Sequence, residues 1–248
     1  MQPHYDQIGK TYRETRKQDA RIAGLIELAL GDARSVINVG AGTGSYEPTD
    51  REVLAVEPSE TMIRQRPEGA APAIQAFAEA LPLPDKSFDV ALAVNTVHHW
   101  QDVRAGLREL RRVARNRIVI FHRCPHEGVA LWLTEEYFPS LLSDRRMADI
   151  VNAIEDELGP IERVRIPLPA KCEDGLFSGY WARPEMYLSS EIRRNISNFA
   201  LAEEAIVTRG LKALQADLES GAWDRKHGHL RSLPEIDIGH RLLVANLA

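Results

Sequence analysis

The sequence predicts an α/β fold: a mostly parallel sheet with helical crossovers, carrying an added helical stretch before its last strand. Three observations support this. An apolar run at residues 36–39 passes at once into Gly40-Ala41-Gly42-Thr43-Gly44, as a strand covered on both faces does when it opens into a tight turn. A second apolar run at 53–56 ends in Glu57, and later apolar runs of strand length alternate with stretches of helical periodicity. Between the expected last two strands lies a segment too long for a bare loop.

The loop decides which ligand class to expect. In an open parallel sheet, ligands bind beyond the carboxyl ends of the strands, which puts the glycines and Glu57 on one rim. A dinucleotide fingerprint reads G-x-G-x-x-G with an acid about 20 residues further on. Here the pattern is G-x-G-x-G, position 45 is Ser, and Glu57 arrives sooner. Pro48 and the charged run after it leave no room for the full helix whose N-terminus would hold a pyrophosphate. A nucleoside without phosphates fits better, its ribose hydroxyls meeting the Glu57 carboxylate.

At this point residues 5–121 resemble the class I S-adenosylmethionine-dependent methyltransferases, in particular the type 11 small-molecule group. VINVGAGTGSYE is similar to that family's first motif, VEPSETM to its second, and AEALPLPDKSFDVALAVNTVHHW to its third and fourth. The resemblance implies a Rossmann-like sheet of seven strands, the last antiparallel, with S-adenosyl-L-methionine as cofactor. It also implies a cofactor site of Gly40, Ala41, Gly42, Gly44, Glu57, Pro58, Met62, Phe77, Ala78, Glu79, Asn95 and Thr96. Two departures stand out. Asn38 occupies a position where the family usually has an acid, and Phe77 another, so neither supplies the expected charge.

The bounds agree with a soluble enzyme. The chain has 248 residues, 44% hydrophobic and 27% charged, enough for one large domain or a domain with a cap. A net charge of −5 argues against a general grip on nucleic acid. Two cysteines cannot build a disulfide framework, which points to the cytoplasm. No apolar stretch is long enough to span a membrane, and the N-terminal residues lack an apolar signal core.

Taken in order, residues 22–30 carry one apolar helical face stopped by Gly31. Upstream, Tyr5, Tyr12, Arg13 and Arg16 read either as a solvated polar start or, by the resemblance, as a segment folded over the cofactor. There Arg16 would meet the methionine carboxylate and Tyr12 would cover the sulfonium. Ser59 is suited to cap a short helix to about Gln65, with Met62 either filling the core or lying against adenine. Residues 73–77 and 88–94 are the third and fourth strands. Glu79 is either a solvated charge or a contact to the ligand. The rim of the fourth strand carries His98 and His99, the candidate catalytic residues. An imidazole there can deprotonate an acceptor hydroxyl near neutral pH, or simply hold the loop. Residues 101–114 read as a helix and 118–121 as the fifth strand. His122, Cys124 and His126 alternate at its tip, but a fourth zinc ligand is not apparent, so no metal is expected.

Beyond residue 126 the motifs fade. Helices are expected at 131–142 and 147–158, a sixth strand at 161–168 and a seventh at 236–245. Residues 1–169 and 231–248 are read as the cofactor-binding core and 170–230 as a helical cap, with aromatic residues 176–181 as core or pocket wall. The expected function is methyl transfer to a small-molecule acceptor, at oxygen or nitrogen rather than carbon, by in-line displacement. One rival is a protein that binds the same cofactor without transferring its methyl. A weaker one is an NAD oxidoreductase, which calorimetry with each cofactor separates. The acceptor and the oligomeric state are not legible.

Overall fold

The computed structural model describes Asp6 and residues 11–247, so Tyr5 lies outside the described residues. The strands in chain order are β1 (Ser35–Val39), β2 (Glu52–Val56), β3 (Ala73–Ile74), β4 (Phe88–Val94), β5 (Ala114–Arg123), β6 (Glu162–Arg165), β7 (Leu168–Pro169), β8 (Glu235–Ile236) and β9 (His240–Asn246). Seven of them form one sheet in the order β3-β2-β1-β4-β5-β9-β6; β7 and β8 pair separately. Strands β1 to β5 run parallel, and β9 lies antiparallel between β5 and β6. This is the seven-stranded, mostly parallel arrangement with an antiparallel last strand that the resemblance implies.

Register builds the rim. Val39 stands opposite Val56, so Gly40 and Glu57 leave the sheet side by side. Val94 stands opposite Phe121, which brings Asn95 and His122 together, and Arg123 stands opposite His240. The central strands are apolar on both faces, and each face has its own core. One packs Ile37, Ala91, Ile118 and Ile120 against the helices Val103–Val113 and Asp144–Leu158. The other packs Val36, Leu92 and Phe121 against the helix Ala20–Leu30 and against residues of the 170–230 segment, including Trp181, Tyr187 and Trp223. Trp181 and Tyr187 are fully buried, a burden of apolar area worth about 1.5–3 kcal/mol per large side chain.

Several boundaries differ from expectation for identifiable reasons. The helix expected at 131–142 is a single wide turn, Leu133–Tyr137, because Pro139 cannot continue it. The next helix starts earlier than residue 147, at Asp144, where Ser143 caps it by accepting from the Arg146 amide. The sixth strand stops at Arg165, short of Pro167, and Leu168–Pro169 joins the separate ribbon instead. The last strand begins at His240 rather than 236, since Gly239 turns the chain at φ 85°. Residues 184–199 break into three short helical pieces, and a longer helix spans Glu204–Glu219.

Candidate active site

The glycine loop wraps the Glu57 carboxylate. The Gly42 amide donates to Glu57 Oε2 at 2.8 Å and the Ser59 amide to Oε1 at 2.9 Å, so one side chain joins the loops after β1 and β2. Glu57 is buried, and that burial pushes its carboxyl above the usual range despite both amides and nearby Arg66. Gly40 sits at φ 73°, and a Cβ there would lie 2.0 Å from Thr96 Oγ1. Close packing between the β1 and β4 loops, more than ligand approach, therefore demands this glycine. A Cβ on Gly42, which sits at φ 55°, would lie 3.3 Å from Met62 Cε.

These groups open onto a pocket along the rim of β1, β2 and β4. Asn38, Gly40, Ala41, Gly42, Thr43 and Ser45 form its floor. Glu57, Pro58 and Met62 line one side; Phe77, Ala78 and Glu79 line another. Val94, Asn95, Thr96, His99, Trp100 and Gln101 close the β4 side, and Tyr12, Arg16 and Tyr46 cover it. Gly44 does not reach the pocket; it lies against Arg66 and Glu47 instead. The Glu79 carboxylate accepts from the Gln101 and Asp102 amides at 2.7 and 3.2 Å, so it holds the turn before the helix Val103–Val113. Asn38 donates through Nδ2 to Glu47 Oε1, which brings a carboxylate near the position where the family carries its acid, already paired with Arg66 at 2.6 Å. The Asn38 Oδ1 is buried without a partner among the described residues.

Tyr12 and Arg16 have protein partners. The Arg16 guanidinium stacks 4.9 Å over the Tyr12 ring, and its Nε donates to Asp174 Oδ1 at 2.6 Å. Tyr46 donates to the other Asp174 oxygen and accepts from the Asp19 amide, while the Glu173 amide donates to Asp19. The N-terminal segment is thus clasped to the 170–230 segment directly over the pocket. The ring face expected to cover a sulfonium carries Arg16, and the guanidinium expected to meet a carboxylate meets Asp174.

A second, smaller cavity adjoins the first and shares Arg16 and Asn95 with it. The two adjacent histidines divide between the pockets: His99 lines the first and His98 the second. The Arg146 guanidinium donates to the His98 carbonyl at 2.8 Å and fixes that loop. His122, Arg123, Ser178 and His240 also line the second cavity, and the His98 and His122 rings are 6.1 Å apart. Burial, seconded by His99, His122 and nearby arginines, holds His98 well below the usual histidine range. Burial likewise lowers His122 to about 4 and His240 to about 3. All three are neutral at neutral pH. Cys124 turns into the core rather than toward these rings, and no metal-holding cluster of His, Cys, Asp and Glu occurs among the described residues.

The methyltransferase-domain family profile matches residues 37–120, which contain the glycine loop, Glu57 and the β4 rim. Over nearly its whole length the chain is similar to a putative methyltransferase of an antibiotic biosynthesis pathway from Anabaena variabilis. The two are 33% identical with a TM-score of 0.84, across 94% of this chain and 99% of that one. The chain belongs to the class I S-adenosylmethionine-dependent methyltransferases.

The pocket of this methyltransferase fits S-adenosylmethionine. The Glu57 carboxylate, apolar Met62 and Ala78 line it together, and the Asn38 oxygen offers an acceptor without a partner among the described residues. Curated relatives match shorter stretches. YcgJ of Bacillus subtilis, an uncharacterized methyltransferase, is 30% identical over 38% of this chain and 43% of its own length. A malonyl-[acyl-carrier protein] O-methyltransferase of Pseudescherichia vulneris is 31% identical over 45% of this chain and 47% of its own. The matches thus span under half of either relative. Sequence reading missed Tyr46, His240 and Arg123 as lining residues, while Leu176, Phe177 and Ser178 come from the stretch read as core or pocket wall. The signal for Arg123 was the polar alternation at the tip of β5.

Proposed function

We propose that this methyltransferase transfers the methyl group of S-adenosylmethionine to an oxygen or nitrogen of a small-molecule acceptor held in the second cavity. The observation that carries the reading is that the two pockets adjoin at the β4 rim, where Asn95 and Arg16 line both. When bound, S-adenosylmethionine supplies an already electrophilic methyl. The chain's task is then to align the acceptor and exclude water. Glu57, Asn38 and the Gly42 loop hold and orient the nucleoside and amino-acid ends. The Arg16–Asp174 clasp covers the pocket. His98, neutral and with its Nδ1 buried without a partner among the described residues, accepts a proton from an acceptor hydroxyl. The two buried free thiols, Cys124 and Cys172, support a reducing compartment such as the cytoplasm. Among the described residues no helix is long and apolar enough to cross a membrane.

The test pairs cofactor calorimetry with a screen of small-molecule acceptors using methyl-labelled S-adenosylmethionine. Wild-type protein should bind S-adenosylmethionine and S-adenosylhomocysteine and ignore NAD. Glu57→Ala should lose about 2–3 kcal/mol of that affinity, because a buried charged hydrogen-bond partner of the ribose disappears. Unchanged affinity in that variant would remove Glu57 from the site. Tight cofactor binding with no labelled product across the acceptor classes would favour the non-catalytic reading instead.

A further inference from the structure

We propose that the second cavity takes its acceptor by an oxyanion, so that the substrate is a small amphipathic acid bearing a carboxylate or phosphate group. This rests on the methyl-transfer reading above and narrows it. The cavity is lined by His98, His122, His240, Arg123, Ser178 and Asn198 on its polar side, and no Asp or Glu lines it. Its hydrogen-bonding capacity is unspent. His98 Nδ1, one ring nitrogen of His122, His240 Nδ1 and Arg123 Nε are buried without partners among the described residues, while the Met147 backbone takes the other His122 nitrogen. His122 and His240 are 1% and 5% exposed, so bulk water does not serve them. Native interiors rarely leave so many polar atoms unmet in one place, and such clusters mark ligand sites.

The character of the missing ligand follows from charge. Arg16 and Arg123 border the cavity, and Arg146 stands behind His98. The nearby acids are already spent on arginines: Asp174 holds Arg16, Asp144 holds the far end of Arg123, and Asp237 holds Arg241. A cationic acceptor would meet no unpaired carboxylate in the lining. An uncharged apolar one would leave every orphaned nitrogen unpaired. An oxyanion accepts from His122, His240 and Arg123, leaves His98 Nδ1 to the acceptor hydroxyl, and by its charge draws protons onto rings that burial keeps neutral. Leu142, Met147, Leu176, Phe177 and Ile196 supply an apolar wall for a short carbon body. His240 is held in register by Ser178, whose hydroxyl lies 2.8 Å from Nε2 and leaves Nδ1 for the ligand.

The test is calorimetry on the full chain saturated with S-adenosylhomocysteine. The probes are short-chain mono- and dicarboxylates, their primary amides, and alkyl phosphates. Acids should bind at least tenfold more tightly than their amides. At neutral pH their binding should take up protons, read as an enthalpy that varies with the ionisation heat of the buffer. Comparing carboxylates with alkyl phosphates tells which oxyanion is preferred. His122→Gln should weaken acid binding at least tenfold and reduce proton uptake, with S-adenosylhomocysteine affinity unchanged. Should that variant fail to fold, proton uptake by the wild-type protein still decides. Amides or amines binding as well as acids, or acid binding without proton uptake, overturns the oxyanion assignment and leaves methyl transfer standing. Failure to bind S-adenosylhomocysteine itself overturns the methyl-transfer reading, and this proposal with it.

Discussion

The two adjoining pockets are built by opposite means. The cofactor pocket is made of backbone: positive-φ glycines, amides turned toward one buried carboxylate, and loops locked to each other by Glu57 and Thr96. Its Glu57, Glu79, Arg16 and Tyr46 side chains have protein partners, while Asn38 Oδ1 has none among the described residues. The second cavity is made of side chains from the loop after β4, from β5 and β9, and from the 170–230 segment, and four of its nitrogens lack partners among the described residues. A scaffold that holds an invariant cofactor gains from being finished before the ligand arrives. A surface that must recognise one particular acceptor keeps its hydrogen bonds for that molecule.

Breaking the scaffold should cost most. Gly40→Ala places a Cβ against the Thr96 side chain and forces an alanine to positive φ. We expect a loss of about 3 kcal/mol or more in stability, with cofactor affinity falling as the loop shifts; urea denaturation with calorimetry measures both. A variant as stable as wild type would mean the loop relaxes freely. The paired histidines sharpen the contrast between the pockets. His98→Ala should lower turnover about 10²-fold or more at constant cofactor affinity. His99→Ala should change cofactor affinity and leave turnover per saturated enzyme within a few-fold. Equal effects from both, or mere loss of melting temperature, would refuse the division of labour.

Acid stability gives the smallest and most general test. His122 and His240 titrate below the unfolded value of about 6.5, so between roughly pH 4 and 6.5 the unfolded chain binds protons that the native chain refuses. Stability therefore falls as pH drops through that window. His122 alone contributes a loss of about 2 kcal/mol by about pH 5. The lowered carboxyls of Asp19, Asp89 and Asp237 lose their contribution only at lower pH, so the windows separate. His122→Gln should flatten the slope between pH 6.5 and 5 in a denaturation series, and an unchanged slope would contradict the buried, neutral assignment.

The same contrast explains what the sequence disclosed. The glycine loop, Glu57 and the β4 rim are read from short, contiguous patterns, because the chain itself brings them together within a few turns. Gly44 shows the limit of pattern alone: it belongs to the motif yet faces the Arg66–Glu47 pair and not the pocket. Glu79 belongs to the third motif yet spends its carboxylate on the turn at Gln101. The second cavity joins His98, Ser178 and His240, with 62 positions separating the last two, so tertiary folding alone brings them together. His240 lies within the stretch expected as the last strand, and only the turn at Gly239 makes it the strand's first residue beside Arg123. Helix 131–142 failed because Pro139 outweighs apolar periodicity, a signal the sequence did contain.

The position of β9 has a consequence for biosynthesis. Residues 162–165 leave the ribosome well before 240–246, yet β6 touches the sheet only through β9. During translation β6 has no partner, and β5 presents a bare, apolar edge where His122 and Arg123 later meet Arg241 and His240. The nascent chain can complete its nucleoside half early. The acceptor half exists only after the late strand threads between its two neighbours, which makes that insertion the step where chaperone protection matters most.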